Sequence, residues 1–206
     1  MSVSPSTTAP PALGKHEAIL AAAIMQFTRF GYRRTSMDDI AKAAGVAKGT
    51  LYLYFDSKAA VFRAMQAANF EQTEVRCQAA VDQGSSFGEK LNGLLQANYG
   101  WMHATYGGSE FLSELGDARS TIGADLAEQA DQAYFGRIVR LAEAADVSGE
   151  IALENSGLSA TDIAAAVLAA ARGAKAGQAG VVTPEAYAKC LRQIATLTAA
   201  AVRKAF

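Results

Sequence analysis

The chain has 206 residues and a mass of 21.5 kDa, enough for one large domain or for a small domain joined to a larger one. Half of its residues are hydrophobic, which excludes a disordered tail, and its 45 alanines against 4 prolines favour helices over a β-sandwich or β-barrel. The formal net charge is −1, but residues 1–58 sum to +3 and residues 59–206 to −4, so the N-terminal quarter is the part suited to a polyanion.

The cysteines and the N-terminus point to the cytoplasm. Cys77 and Cys190 are 113 positions apart and form no CxxC pair, which argues against a disulfide framework or a zinc site. Residues 1–14 hold three of the four prolines, without a basic start or an apolar stretch. We expect a flexible arm there rather than a signal peptide. No apolar run approaches the roughly 20 residues of a membrane span, so we expect no membrane segment and no metal site.

The first predicted helix follows the arm. Ile19, Ala23 and Phe27 fall at i, i+4 and i+8, which predicts an amphipathic helix of about sixteen residues. Gly31 ends it, because glycine tolerates the positive φ of a helix C-terminus. The apolar face of this helix can therefore support the elements that follow.

Residues 36–55 have the parts of a helix-turn-helix motif. Ser36 and Asp39 form a capping-box pattern that starts a helix over 37–44, and a second helix follows over 47–53. We expect a Cβ to clash at Gly45 in the turn, and Ala41 to be small because the two helices approach each other there. Such a motif holds its second helix rigidly enough to enter the major groove of DNA. The residues expected to face inward are Ile40, Ala41, Ala44, Val46 and Leu51.

The rest of the chain is predicted to be helical with polar breaks, without a convincing repeat or strand. The expected helices cover 58–83, 87–104, 110–115, 120–145 and 160–175, with a loop over 147–158 and a last helix that starts at Thr183-Pro184-Glu185. The total is about nine helices, so the predicted fold class is all-α.

One stretch resembles a known family. Ile40-Ala41, Ala44-Gly45-Val46, Lys48-Gly49-Thr50-Leu51-Tyr52 and Tyr54-Phe55 are similar to the DNA-binding domain of the tetracycline-repressor-like (TetR) family of transcriptional regulators. Gln26 and Tyr54 depart from the usual pattern, but neither supports the turn. The resemblance implies a three-helix DNA-binding domain over 15–60 and a helical ligand-binding and dimerisation domain over 61–206.

Carried over by position, the resemblance makes 47–53 the recognition helix. We expect Lys48 to reach a base, because an ammonium can donate to guanine, with contact to phosphate alone as the alternative. Tyr52 and Tyr54 would donate to phosphates, with packing as the alternative for Tyr52, and Lys58 would meet a phosphate at the start of the long helix. Arg33 and Arg34 would add phosphate contacts or lie in a solvated loop. The complete set of predicted DNA-binding residues is Thr35, Ser36, Met37, Ala47, Lys48, Gly49, Thr50, Tyr52, Leu53, Tyr54 and Lys58.

The resemblance also implies a small-molecule pocket among the middle helices. Aromatic and sulfur-containing side chains with a few polar tips suit an apolar ligand, although they suit an ordinary helical core equally. The residues predicted for the pocket are Tyr99, Trp101, Met102, His103, Tyr106, Phe111, Leu115, Tyr134 and Phe135.

The resemblance further implies that the alanine-rich last two helices form the dimerisation surface. Alanines over 164–176 and 195–200 permit close helix approach, either between two copies of the chain or within one copy. The expected partners are thus a second copy, double-stranded operator DNA and a small apolar or amphipathic effector.

The function implied is a transcriptional regulator that binds a near-palindromic operator as a homodimer. Repression with release by the effector is favoured because most of the family represses. An enzyme is the competing class, but the sequence has no GxSxG, HExxH or glycine-rich phosphate motif, and we expect no cofactor. A helical ligand carrier or a DNA-packaging protein without regulatory coupling is the other alternative.

Overall fold

The computed structural model describes residues 14–176 and 182–204, so the predicted arm lies outside the described residues except for Gly14. The described part contains α1 (Lys15–Phe30), α2 (Met37–Ala43), α3 (Lys48–Tyr54), α4 (Lys58–Gln83), α5 (Phe87–Leu95), a π-helical turn (Gln96–Gly100), α6 (Trp101–Tyr106), α7 (Leu112–Ile122), α8 (Ala124–Val147), α9 (Leu153–Ser156), α10 (Ala160–Ala176) and α11 (Pro184–Ala201). Within these residues the only β-pairing is one isolated bridge. Since α5, the π turn and α6 run on as one helix and α9 is a single turn, the prediction of an all-α fold with about nine helices is confirmed.

The N-terminal unit is built as the sequence predicted. Helices α1 to α3 and the first turn of α4 bury a common core that includes Ile19, Phe27, Ile40 and Leu51. The capping box at the start of α2 is present, because the Ser36 hydroxyl accepts from the backbone N–H of Asp39 while the Asp39 carboxylate accepts from that of Ser36.

Gly45 is needed for a different reason from the one expected. Its φ is +67°, a conformation that side chains with a Cβ rarely adopt, but a Cβ built there would meet no atom within 4 Å. The expected clash was therefore wrong, and the backbone angle alone favours glycine.

Helix α4 joins the N-terminal unit to the body without a linker. Val61 and Phe62 in its first turns belong to the N-terminal core, and Cys77 near its far end belongs to the core of the body. With 26 residues it is about 39 Å long. The predicted boundary between residues 60 and 61 therefore lies inside a continuous helix.

The body is a helical bundle whose core lies among α5, α8, α10 and α11. Leu91, Leu95, Ile138, Val167 and Leu191 are fully or almost fully buried there. This bundle supports the middle helices on one side and exposes the outer faces of α10 and α11 on the other.

The break between α7 and α8 differs from the prediction. The helix expected over 110–115 runs to Ile122, and the one expected from 120 starts at Ala124. A Cβ at Gly123 would lie 1.7 Å from Oε1 of Gln66, whereas one at Gly116 would meet nothing within 4 Å. The end of the Gln66 side chain on α4 therefore packs on Gly123, and the helix continues past 116.

The predicted loop over 147–158 is also not entirely irregular. It contains the single turn of α9, and its Ile151 pairs with Arg203 in the isolated bridge. This pairing joins the connection after α8 to the end of α11.

The alanines of the last two helices divide between the core and the surface. Ala164, Ala171 and Ala195 are buried within the chain, whereas Ala165 and Ala169 are exposed on α10. On α11, Leu197 is 70% exposed. Cys77 is a buried free thiol. No helix in the described part of the chain is both long and apolar enough to cross a bilayer.

Candidate DNA-binding surface and ligand cavity

Helix α3 presents most of its surface to solvent. Leu51 is its one buried residue and packs into the N-terminal core, while Leu53 is 86% exposed and Tyr52 and Tyr54 are each nearly half exposed. Lys48 and Gly49 lie exposed at the start of the helix. A rigid helix with such an exposed face fits the major groove, in which apolar atoms contact thymine methyl groups and polar atoms contact base edges.

An ion pair that the sequence analysis missed holds Lys48. Its ammonium lies 2.8 Å from a carboxylate oxygen of Asp38, and both side chains are about 60% exposed. The hydrogen bond to Asp38 raises the pKa of Lys48, so the lysine remains charged. In the free protein, the Asp38 carboxylate therefore binds the Lys48 ammonium that was predicted to contact a base.

Two predicted contacts next to the turn face the protein instead of solvent. Thr35 is 2% exposed and donates its hydroxyl to the carbonyl of Gly31 at 2.8 Å. Met37 is 9% exposed and belongs to the N-terminal core. Ser36 is exposed, but its hydroxyl is engaged in the capping box. The side chains of Thr35 and Met37 therefore stabilise the fold, and the contact of this helix start with the DNA backbone stays a prediction.

Lys58 also has a structural role. Its ammonium donates to the carbonyl oxygens of Tyr32, Arg33 and Thr35 at 2.7, 3.2 and 2.8 Å, and lies 4.5 Å from the centre of the Tyr32 ring. An ammonium has three N–H donors, and all three are used. These bonds close the loop between α1 and α2, and the phosphate contact of Lys58 stays a prediction.

The other residues near α3 remain accessible or help to orient the helix. Ala47 is exposed and forms the N-cap without a side-chain bond, and Thr50 is half-buried. His16 of α1 packs against the rings of Phe55 and Tyr54 with centroid distances of 5.3 and 6.2 Å. This contact, not found from the sequence, fixes the C-terminal end of α3 against α1.

A cavity of about 350 Å³ lies between α4, α6, α7 and α8 and reaches α1. One face of helix α4, from Phe62 to Glu74, lines the cavity. Five of the nine residues predicted for the pocket line this cavity, namely Tyr99, Met102, Tyr106, Leu115 and Tyr134. The lining residues from α4 are Phe62, Met65, Gln66, Asn69, Phe70, Thr73 and Glu74.

Four residues predicted for the pocket do not line the cavity. The Trp101 ring lies outside the cavity lining, with the Arg76 guanidinium 3.8 Å from its centre. It also contacts the Tyr106 ring edge-on. His103 is buried, with Nε2 2.7 Å from the Val182 carbonyl oxygen and its ring against Tyr187. Phe111 packs near Gly31 and under Arg34, and Phe135 packs against the core of the body. Among the described residues no group of three His, Cys, Asp or Glu side chains is placed to hold a metal ion.

The cavity shares its apolar end with the DNA-binding unit. Phe27 and Phe62 are core residues of that unit and also line the cavity, as does Ile24 of α1. The sequence analysis did not assign them to the pocket. Spacings of three and four residues from position 62 to 74 were the available signal, because they place these residues on one face of α4.

The loop before α7 provides a second link to the DNA-binding unit. The Ser109 hydroxyl donates to the carbonyl of Thr28 at 2.6 Å, and the backbone N–H of Arg33 donates to the Glu114 carboxylate. Leu115, the next residue on α7, lines the cavity. Thus α7 contacts the cavity with one side and the loop before α2 with the other.

An exposed recognition helix held by a capped helix and a glycine turn defines a helix-turn-helix DNA-binding protein. The family model of bacterial regulatory proteins of the tetR family matches residues 19–65. HTH-type transcriptional regulator YhgD of Bacillus subtilis is 33% identical over 85 residues, which are 41% of this chain and 44% of that protein. HTH-type transcriptional repressor KstR2 of Mycolicibacterium smegmatis is 33% identical over 97 residues, 47% of either protein. The chain thus spans less than half the length of these curated relatives.

Solved structures extend the likeness over the whole fold. The fatty acid degradation regulator FadR from Bacillus halodurans superposes with a TM-score of 0.68 at 18% identity, covering 94% of this chain and 97% of that one. A transcriptional regulator from Cytophaga hutchinsonii gives a TM-score of 0.70 at 20% identity, covering 93% of this chain and 100% of that one. Residues 19–65 thus match the tetR-family model, and the described fold is similar to that of solved transcriptional regulators.

Proposed function

We propose that this protein is a ligand-released repressor that binds a near-palindromic operator as a homodimer in the cytoplasm. The observation that carries the proposal is the sharing of Phe27 and Phe62 between the DNA-binding core and the cavity. The name of the relative KstR2 as a repressor supports repression over activation.

The DNA contacts proposed are those of the accessible residues of α3 and its N-cap. Lys48 is the base-reading residue once its bond to Asp38 is exchanged for one to DNA, and Tyr52 and Tyr54 position the helix on phosphates. Gly49 leaves the backbone open, since a Cβ there would meet nothing within 4 Å.

The dimer interface proposed is formed by the outer faces of α10 and α11. The exposed Ala165, Ala169 and Gly173 form a small-residue stripe on α10, and Leu197 is an exposed apolar side chain on α11. Small residues allow two helices to approach closely, and a large apolar side chain is stabilised when a partner covers it.

Release follows from the position of the cavity. A ligand beside Phe27 and Phe62 displaces the first turns of α4 or the α1 helix that support α3. Two recognition helices must enter successive major grooves about 34 Å apart, so a small change in their separation prevents one half-site from binding. The ligand acts only if it binds the released arrangement more tightly than the DNA-bound one.

The test begins with selection of bound duplexes from a random library. We expect an enriched near-palindrome, protection of one discrete site in footprinting, and a light-scattering mass near twice 21.5 kDa. Uniform coating of DNA would instead indicate a packaging protein, and no protection would indicate a carrier. A monomeric mass together with indifference to half-site spacing would refute the dimer.

A further inference from the structure

We propose that the cavity takes a neutral, elongated, largely apolar ring compound that donates hydrogen bonds from hydroxyl groups to the side-chain amide of Asn69, with Gln66 as the second acceptor. This proposal rests on the ligand-responsive function above and names the chemical class of the effector.

The shape of the cavity favours a long and narrow molecule. Its lining on α4 extends from Phe62 to Glu74, which corresponds to about 18 Å along a helix axis. A volume of about 350 Å³ spread over that length is small for a ligand site. A compact, bulky ligand would leave one end empty, whereas linked flat rings fill it.

The charges around the cavity favour a neutral molecule. Four ionisable side chains of opposite signs line it, and each is already paired. Asp131 binds Arg119 at 2.9 Å and lies 3.9 Å from Arg172, while Glu74 binds Arg137. An ionised ligand would lose its hydration without gaining an unpaired counter-charge.

Two buried amide oxygens in the wall are free to accept hydrogen bonds. Oδ1 of Asn69 and Oε1 of Gln66 are buried and have no partner among the described residues. The hydroxyl oxygen of Tyr99 accepts from the Arg172 guanidinium, and the hydroxyl of Tyr134 donates to the Leu94 carbonyl. A bound molecule therefore completes the wall by donating hydrogen bonds.

The two amides lie at positions that one ring can reach. They are three residues apart on α4, so their side chains leave the same face of the helix with Cβ atoms about 5–6 Å apart. Oε1 of Gln66 packs on Gly123, so the Gln66 side chain must rotate away from it to accept from a ligand, which makes Asn69 the primary acceptor. Asn69 is less constrained, with a weak 3.9 Å contact from Nδ2 to the Met102 sulfur.

Calorimetric titration of the full chain with four matched probes tests the proposal. Resveratrol carries a dihydroxylated ring, trans-stilbene lacks all donors, trimethoxystilbene can accept but not donate, and dodecanoate is an anionic chain. We expect resveratrol to bind at least tenfold more tightly than each of the other three. Equal or tighter binding of any of the other three, or no binding of resveratrol, overturns the proposal.

Variants test whether the amides provide this selectivity. Asn69→Leu and Gln66→Met should bring the affinity ratio of resveratrol to trans-stilbene close to one, while Gln72→Met on the exposed side of α4 should preserve it. The melting temperature of the ligand-free variants should stay equal or rise, because an unsatisfied buried oxygen is removed. An unchanged ratio in both Asn69→Leu and Gln66→Met overturns the assignment.

Operator binding in the presence of the same probes separates this inference from the proposed function. If resveratrol binds with the expected selectivity but leaves the operator complex intact, the ligand class stands and the coupling fails. If dodecanoate releases the operator and resveratrol does not bind, the regulatory function stands and the ligand class is wrong.

Discussion

Replacement of Lys58 by methionine separates a structural role from a DNA-binding role. The ammonium donates to three backbone carbonyls of the loop that leads into α2, and burial among them lowers its pKa. A methionine retains most of the apolar stem but donates no hydrogen bond. We therefore expect Lys58→Met to destabilise the fold and to leave the count of phosphate contacts unchanged.

The magnitude follows from which of those bonds are shielded from water. The bonds to Tyr32 and Thr35 are partly buried, and the one to Arg33 is exposed and counts little. Two partly buried hydrogen bonds at about 1 kcal/mol each give a loss of about 2 kcal/mol in the free energy of unfolding. For a chain of this size that loss corresponds to a fall of about 4–8 °C in melting temperature.

The assay combines thermal unfolding with operator binding over a range of salt concentrations. A lost phosphate contact lowers the slope of log K against log salt by about 0.9 per subunit, whereas a loosened loop weakens binding at all salt concentrations alike. Lys204→Met, at an exposed lysine beyond the end of α11, is the matched control and should change neither quantity. A reduced salt slope with an unchanged melting temperature would refute the structural role and restore the phosphate contact.

Five further outcomes are expected. Lys48→Ala should relax base preference at one position per half-site. Asp38→Asn should raise affinity for all operator sequences, because it frees the Lys48 ammonium. Both are measured by fluorescence anisotropy on a set of single-base operator variants. Tyr134→Phe should lower the free energy of unfolding by about 1–2 kcal/mol in denaturant titrations, since the buried carbonyl of its partner loses a donor. Leu197→Asp should shift the light-scattering mass towards 21.5 kDa if α11 lies in the dimer interface. Burial raises the pKa of Cys77 to about 11. Its thiol should therefore stay protonated at pH 8 and resist a disulfide reagent until the chain unfolds. Rapid labelling of the folded protein would contradict this.

Local signals in the sequence predicted the helix starts of the DNA-binding unit and of the last helices. A capping hydroxyl, a proline at the first position and a glycine with positive φ act within a few residues, so Ser36, Thr183 and Gly31 mark boundaries without knowledge of the fold. The break after α7 could not be placed in this way. Both Gly116 and Gly123 are possible breaks by composition, and only the structure shows that the helix continues through Gly116 and ends before Gly123.

The sequence predicted the type of each site, but not every residue that forms it. Trp101 and Met102 are neighbours with similar hydrophobicity, yet only Met102 faces the cavity, because a helix turns about 100° per residue. Lys58 was assigned to phosphate because lysines near helix N-termini often meet anions. Its actual acceptors come from a loop 23 to 26 positions earlier, which no local pattern reveals.

The contact between the cavity and the DNA-binding core bears on how a ligand signal travels. Regulation at a distance usually requires several elements to move in turn, but here Phe27 lines the cavity and also belongs to the core of the DNA-binding unit. A ligand that repacks Phe27 also displaces Tyr32 and Phe62, whose rings lie 5.4 and 5.7 Å from it, and Tyr32 in turn lies under Lys58. A coupling free energy of about 1–3 kcal/mol is then available from local repacking alone. Consequently, substitutions around this aromatic cluster should change operator affinity even without ligand, whereas substitutions at the polar end of the cavity should change only the response to it.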